Sequence, residues 1–387
     1  MSNRSGWLHR PGRVFFAPGK SNSEYAEKLR ALALRLPFPV ASIRRSPPRR
    51  KRAIIPSMAT TQTDQTVTAT APDLQTIREA HERIRAQIHR TPVFTSESLD
   101  AMTGANLFFK CENLQKTGSF KFRGATNAVF SLTGEEAKRG IVTVSSGNHG
   151  AAISLAARRR GIPAWIVMPG AAPRAKRQAV EAYGGRVTEC EYDMASRDAA
   201  CKALQEKTGA ILIHPYNNAR VIAGQGTAAL ELLEDVPDLD IVISPVSGGG
   251  LLSGTAIASK SLRPQIRVIG AEPKNADDAC RSLASGKIEP AARTQTIADG
   301  LRAVLCPLTF SILRQHVDEI ALVTEKEILA AMRLVWERLK LIVEPSGAVS
   351  AGIVLHNKIS ARGKRIGIIL SGGNLDLDQI PFVHPTG

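Results

Sequence analysis

The chain contains no run of eighteen apolar residues, which excludes a membrane-spanning helix of ordinary length. Aromatic side chains are scarce, 5% of 387 residues against 43% hydrophobic residues, so the core must be built from Ala, Val, Ile and Leu. The five cysteines (Cys111, Cys190, Cys201, Cys280 and Cys306) are odd in number, scattered and without CxxC spacing. That argues against a disulfide framework or a thiolate zinc site and fits a reducing compartment. No GKS or GKT ending and no GxGxxG is present, which argues against a nucleotide P-loop and a dinucleotide fingerprint. No internal repeat is visible. Acidic residues are nearly missing from residues 1–57, where 13 Lys and Arg face only Glu24 and Glu27. This segment carries +11 of the net charge of +16, so the excess basicity belongs to a leader and not to the rest of the chain. A nucleic-acid partner for the folded part is therefore not expected. The leader, residues 1–72, reads as an irregular extension. It is open to three interpretations: a stretch ahead of a true start at Met58, an Arg-rich organelle transit segment, or a nucleic-acid-binding arm. The first places the protein in the cytoplasm, the second in a mitochondrion or plastid.

From Asp73 onward, strands and helices alternate. A helix is expected from Asp73 toward Gln87, with Ile77, Ala80 and Ile84 on one face. Strands are expected at 107–109, 141–144, 164–168, 210–213, 241–244, 267–271 and 366–370, with helices at 151–160, 174–183 and 221–233 and another after Gly250. Continuous apolar strands separated by helices predict an α/β protein with parallel sheets covered on both faces. In such sheets ligands sit beyond the carboxyl ends of the strands.

Three polar, glycine-containing loops fall at those ends. In Ser247-Gly248-Gly249-Gly250, the backbone N–H groups of successive glycines ahead of a helix form a cradle for a single phosphate. Ser145-Ser146-Gly147-Asn148-His149-Gly150 offers hydroxyls, an amide and backbone donors at a helix start, where Ser146 is equally a cap. Ser371-Gly372-Gly373-Asn374 places a hydroxyl at the same edge. A fourth segment, Glu272 to Asp278, is either a solvated acidic loop or a hard-oxygen cation site.

A lysine completes the set. Lys121 stands between a Gly-Ser-Phe turn and a Phe-Arg-Gly turn, against Phe120 and flanked by Gly118, Ser119, Gly124 and Ala125. Desolvation by an aromatic wall favours the neutral amine that a Schiff base with an aldehyde requires. A covalent lysine, a mono-phosphate cradle and an α/β sheet together point to pyridoxal phosphate.

These residues resemble the signature set of fold-type II pyridoxal-phosphate enzymes, and Phe122-Arg123 resembles the serine/threonine dehydratase and serine racemase group in particular. The resemblance runs from about Asp73 to Phe382. It implies two open twisted sheets covered by helices, as in the tryptophan synthase β subunit. It further implies a large cofactor-binding domain (73–132 and 219–387), a small domain (133–218) and a homodimer. It gives Lys121 the covalent attachment and the Cα proton, and sets Phe120 against the ring. Asn148 would meet the phenolic oxygen, Ser371 the pyridine nitrogen and Ser247, Gly248, Gly249, Gly250 and Leu251 the phosphate, with Glu344 nearby. The substrate carboxylate falls to Ser145, Ser146, Gly147, Asn148 and His149. Glu272, the Ala276 carbonyl and Asp278 would bind Mg²⁺ or another divalent cation. Tyr216 and Ala303 depart from some racemases. A hydroxyl at Ser371 does not keep the pyridine nitrogen protonated, which favours prompt β-elimination. The leading expectation is therefore a threonine/serine ammonia-lyase, yielding 2-oxobutanoate or pyruvate from a small hydroxy amino acid. The alternatives are a serine racemase with dehydratase side activity, using Ser146 as the second acid/base, or a 3-hydroxyaspartate dehydratase.

Overall fold

The computed structural model describes residues 70–377, apart from Ser146, Ala171, Pro173 and Tyr192. The readings of the basic leader and of Met58 lie outside the described residues. The described residues belong to one compact unit.

Among the described residues ten strands make two sheets: β1 (Val93–Phe94), β2 (Asn106–Cys111), β3 (Ile141–Val144), β4 (Ala164–Pro169), β5 (Arg186–Cys190), β6 (Ile211–Leu212), β7 (Ile241–Pro245), β8 (Arg267–Pro273), β9 (Glu319–Val323) and β10 (Arg365–Leu370). Six of them form a sheet in the order β1-β2-β10-β7-β8-β9, parallel except for the short β1. The other four form a parallel sheet, β5-β4-β3-β6.

Because side chains alternate along a strand, each strand of the larger sheet feeds two cores. Ile241 and Ile243 pack with Ala348 and Val349 of the helix Pro345–Leu355 and with Ile328 and Met332 of the helix Glu325–Leu339. Val242 points the other way, toward Leu232 and Leu233 of the helix Ala219–Asp235 and Leu252 and Ala256 of the helix Gly250–Leu262. The smaller sheet divides likewise. Ile141 and Ile166 join one core with Ala152 and Ile153 of the helix Asn148–Arg160, and Val142 and Val167 join another with Cys201.

The first helix, Leu74–Ile84, starts where expected because the Asp73 carboxylate accepts the Thr76 N–H at 2.8 Å. One local expectation is overturned. Phe122-Arg123-Gly124 is not a turn but the first coils of a helix, Lys121–Phe130, whose residues Phe122 to Val129 are all buried. The short β1, the partly polar β5 and β9, and several helices after residue 277 went unread, their patterns being too short or too mixed to stand out.

Candidate functional site

The carboxyl ends of β2, β7 and β10 converge on Lys121. After β2 the chain passes through Thr117 and Gly118, both at positive φ (63° and 72°), and then re-enters extended backbone at Ser119. Glycine at 118 is required twice over, since a Cβ there would lie 2.2 Å from the Asn374 side-chain oxygen. The segment is then tied to the loop after β10. Ser119 bridges Gly372, Phe120 N–H donates to the Ser371 carbonyl at 3.0 Å, and Gly373 N–H donates to the Gly118 carbonyl at 2.9 Å. The lysine and the Ser371 loop, far apart in sequence, thus share one backbone frame.

Lys121 opens its helix, with Nζ 5.0 Å from the Phe120 ring centroid and 3.4 Å from the Pro215 carbonyl, its hydrogen-bond acceptor. Burial pulls the amine down to about 8. Its neighbours are held neutral. Burial, reinforced by the Lys121 charge, lowers His149 far below its ordinary value and takes His214 to about 4. His214 Nδ1 accepts the N–H groups of Tyr216 (3.3 Å) and Asn217 (2.9 Å), which leaves the proton on Nε2.

Ser247-Gly248-Gly249 connects β7 to the helix Gly250–Leu262. Gly249 sits at φ +89°, and a Cβ there would meet Thr309 Cβ at 2.7 Å. A Cβ on Gly248 would strike the Tyr216 ring at 2.5 Å. The three glycines put backbone without side chains at a helix N-terminus, as a phosphate cradle requires. Ser247 Oγ accepts the Ala303 N–H at 3.0 Å, and Leu251 is buried at the helix start.

Asn148 opens the helix Asn148–Arg160. Its Nδ2 donates to Glu344 Oε1 at 2.8 Å, and its Oδ1 accepts from Asn374 Nδ2 at 2.8 Å. Glu344 is buried, and burial, with Asp299 adding to it, pushes its carboxyl up to about 8. Ser145 Oγ accepts the N–H groups of Gly147 (3.3 Å) and Gly150 (3.0 Å). His149 is buried, with Nδ1 lacking a partner. Ser371 is buried and its hydroxyl lies 3.4 Å from the Ser346 carbonyl. The expected catalytic Ser146 lies outside the described residues.

Glu272, at the end of β8, is buried with both carboxylate oxygens accepting backbone N–H groups of Ala279 and Cys280 at 2.9 Å. Asp278 is also buried and its Oδ2 has no partner. Burial raises Glu272 to about 8 and Asp278 to about 6. No group of three or more His, Cys, Asp or Glu side chains suited to a metal occurs among the described residues. The expected set draws its third ligand from the Ala276 backbone. Two desolvated carboxylates, one with an orphaned oxygen, have the chemistry of a divalent-cation site.

Four features went unread in the sequence. The Pro215 carbonyl faces Lys121. Asn374 donates to the Thr117 carbonyl as well as to Asn148. Lys176 pairs with Asp299. Arg123, which served above only to mark a resemblance, anchors a buried ion cluster. It donates to Glu112 Oε2 (2.7 Å) and Glu231 Oε1 (2.8 Å), while Lys110 Nζ donates to Glu231 Oε2 at 2.8 Å. Lys110, Arg123 and Glu112 are fully inaccessible to solvent and Glu231 nearly so. A charged residue inside the apolar stretch 120–130 was the available signal.

A family model described as pyridoxal-phosphate dependent enzyme matches residues 84–372. A serine racemase of Arabidopsis thaliana is 54% identical over 315 residues, 80% of this chain and 95% of the relative. A beta-hydroxyaspartate dehydratase of Paracoccus denitrificans is 49% identical over 311 residues, 80% of this chain and 99% of the relative. Among solved structures, maize serine racemase is 51% identical with a TM-score of 0.78, covering 80% of this chain and 95% of that one. These relatives reverse the order of the two functional readings: the alternatives, racemase or hydroxyaspartate dehydratase, stand ahead of threonine/serine ammonia-lyase. The chain belongs to the pyridoxal-phosphate dependent enzyme family.

Proposed function

We propose that this enzyme is a serine racemase that also dehydrates β-hydroxy amino acids, with 3-hydroxyaspartate dehydration as the second reading. The observation that carries the proposal is the backbone frame that ties the segment leading into the desolvated Lys121 to the Ser371 loop, in a chain 54% identical to a serine racemase.

When bound, pyridoxal phosphate supplies an electron sink that acidifies the Cα–H of an attached amino acid. Lys121 would be the attachment point and, once free, would take the Cα proton; burial lowers its amine to about 8, so that a share of it is neutral near neutral pH while it still accepts a proton. Ser247, Gly248, Gly249, Gly250 and Leu251 hold the phosphate. Phe120 would lie against the ring, Ser371 would meet the pyridine nitrogen, and Asn148, which Glu344 and Asn374 hold in this structure, would meet the phenolic oxygen. Ser145, Ser146, Gly147, Asn148 and His149 receive the substrate carboxylate. For racemisation, Ser146 returns a proton to the opposite face. For elimination, the β-hydroxyl leaves and the product hydrolyses to a 2-oxoacid and ammonia.

Glu272, Ala276 and Asp278 are assigned to Mg²⁺ or another divalent cation, on the support of the orphaned Asp278 oxygen. Residues 73–132 and 219–387 are assigned to the cofactor domain and 133–218 to a smaller one, and the assembly to a homodimer. The compartment is assigned to the cytoplasm, or to a mitochondrion or plastid if residues 1–57 act as a transit segment. No described helix is long and apolar enough to cross a membrane.

The test is incubation of the holoenzyme with L-serine, quantifying D-serine by chiral chromatography alongside pyruvate. D-serine formation that disappears in Lys121→Ala and falls selectively in Ser146→Ala supports the assignment. Pyruvate without D-serine returns the protein to the ammonia-lyases.

A further inference from the structure

The mouth of the site carries a cation whose role the reaction above does not use. Lys176, on the helix Arg174–Ala182, contacts the Asp299 carboxylate, and the two side chains remain 32% and 40% exposed. Asp299 stands on a rigid support. The neighbouring Gly300 N–H donates to Ser346 Oγ at 3.0 Å, and the Ile297 N–H donates to Glu325 Oε2 at 2.8 Å. Lys176 Nζ lies over the loop assigned to the substrate carboxylate, 4.0 Å from where a Cβ on Gly147 would be. Both members of the pair act electrostatically on Glu344, which holds Asn148. Arg177, the next cation on the helix, is occupied by Glu181 and Glu189. Lys176 is thus the cation of this helix directed at the substrate loop, and its partner is a half-solvated carboxylate. Such a pair is weak in water, and an incoming carboxylate of better geometry displaces it.

We propose that Lys176 recognises a second carboxylate on the substrate, exchanging Asp299 for the distal carboxylate of a β-hydroxy amino dicarboxylic acid such as 3-hydroxyaspartate. A neutral hydroxy amino acid leaves the Lys176–Asp299 pair in place. This rests on the reading of the site as one for hydroxy amino acids, and it adds a charge-selective element at its rim.

The test compares kcat/KM for 3-hydroxyaspartate and L-serine in wild type, Lys176→Gln and Asp299→Asn, following 2-oxoacid release. Binding of succinate, with propionate as the single-carboxylate control, is followed by thermal shift of the holoenzyme. Loss of a charge-assisted contact predicts that Lys176→Gln lowers the hydroxyaspartate-to-serine ratio roughly ten- to a hundredfold and removes the succinate shift. Asp299→Asn, which removes the competing carboxylate, raises the ratio. A ratio in Lys176→Gln that moves less than about threefold overturns the inference, as does equal loss for both substrates, which would assign Lys176 to the α-carboxylate. Wild type that turns over serine but not 3-hydroxyaspartate also overturns it. Wild type that processes no hydroxy amino acid defeats the functional reading itself.

Discussion

Replacing Glu231 by Gln isolates the energetic role of the buried ion cluster around Arg123. In the native structure Arg123 and Lys110 balance Glu112 and Glu231, all four essentially without solvent contact. The substitution keeps the shape but leaves one uncompensated buried positive charge, and breaking a buried pair in this way costs about 3–5 kcal/mol. The depressed carboxyl of Glu231 points to a similar magnitude. Burial alone would raise its carboxyl, but Arg123 and Lys110 overcome that and hold it at about 2 against an ordinary 4.5. That difference corresponds to about 3 kcal/mol. Because the folded state depresses this carboxylate, its contribution is complete above pH 4.5 and is lost as pH falls from 4.5 toward 2. Thermal unfolding at neutral pH should therefore drop by roughly 5–8 °C in Glu231→Gln. The double variant Lys110→Met/Glu231→Gln restores the balance of Arg123 with Glu112 and should recover a large part of the loss. A single variant within about 1 kcal/mol of wild type, or a double variant whose loss is the sum of the singles, would refute the reasoning.

Three further outcomes follow from the site. Reconstitution of cofactor-free protein with pyridoxal phosphate should accelerate with pH and level off above about 8, because burial has lowered Lys121 to that value; a midpoint near 10.5, that of a solvated lysine, would count against the desolvated amine. Gly249→Ala forces a side chain into positive φ and against Thr309, costing about 1–3 kcal/mol by chemical denaturation and weakening cofactor retention on dialysis. Mg²⁺ added to EDTA-treated protein should raise the unfolding temperature, and Asp278→Asn should abolish that response; equal responses in both proteins would remove the cation from this site.

The parts of the fold that could be read in the sequence were those with a single dominant period. The strands 141–144 and 241–245 are continuous apolar runs buried on both faces, and they were placed to within a residue. Lys121, Ser247–Gly250 and Ser371 were legible because unusual residue types occur at strand ends, where parallel sheets present ligands. The relation of Phe122-Arg123-Gly124 to its surroundings was not legible. A glycine directly after an arginine reads as a turn, whereas Gly124 is needed because a Cβ there would lie 2.7 Å from the Val221 carbonyl oxygen of a packed helix. That contact spans about a hundred residues, and no local pattern encodes it. The Lys176–Asp299 pair escaped for the same reason, each residue alone being an ordinary surface charge.

The position of β10 has a consequence for how the protein is made. This strand, the last of the described ones, sits between β2 and β7, with Ile366 opposite both Leu107 and Ile241. Until residues 365–370 leave the ribosome, β2 and β7 have no common neighbour and each presents an unpaired, apolar edge. The loop that fixes Lys121 follows that strand directly. The nascent chain therefore holds Lys121 without a frame, and its sheet without a centre, until almost all of the described protein has been synthesised.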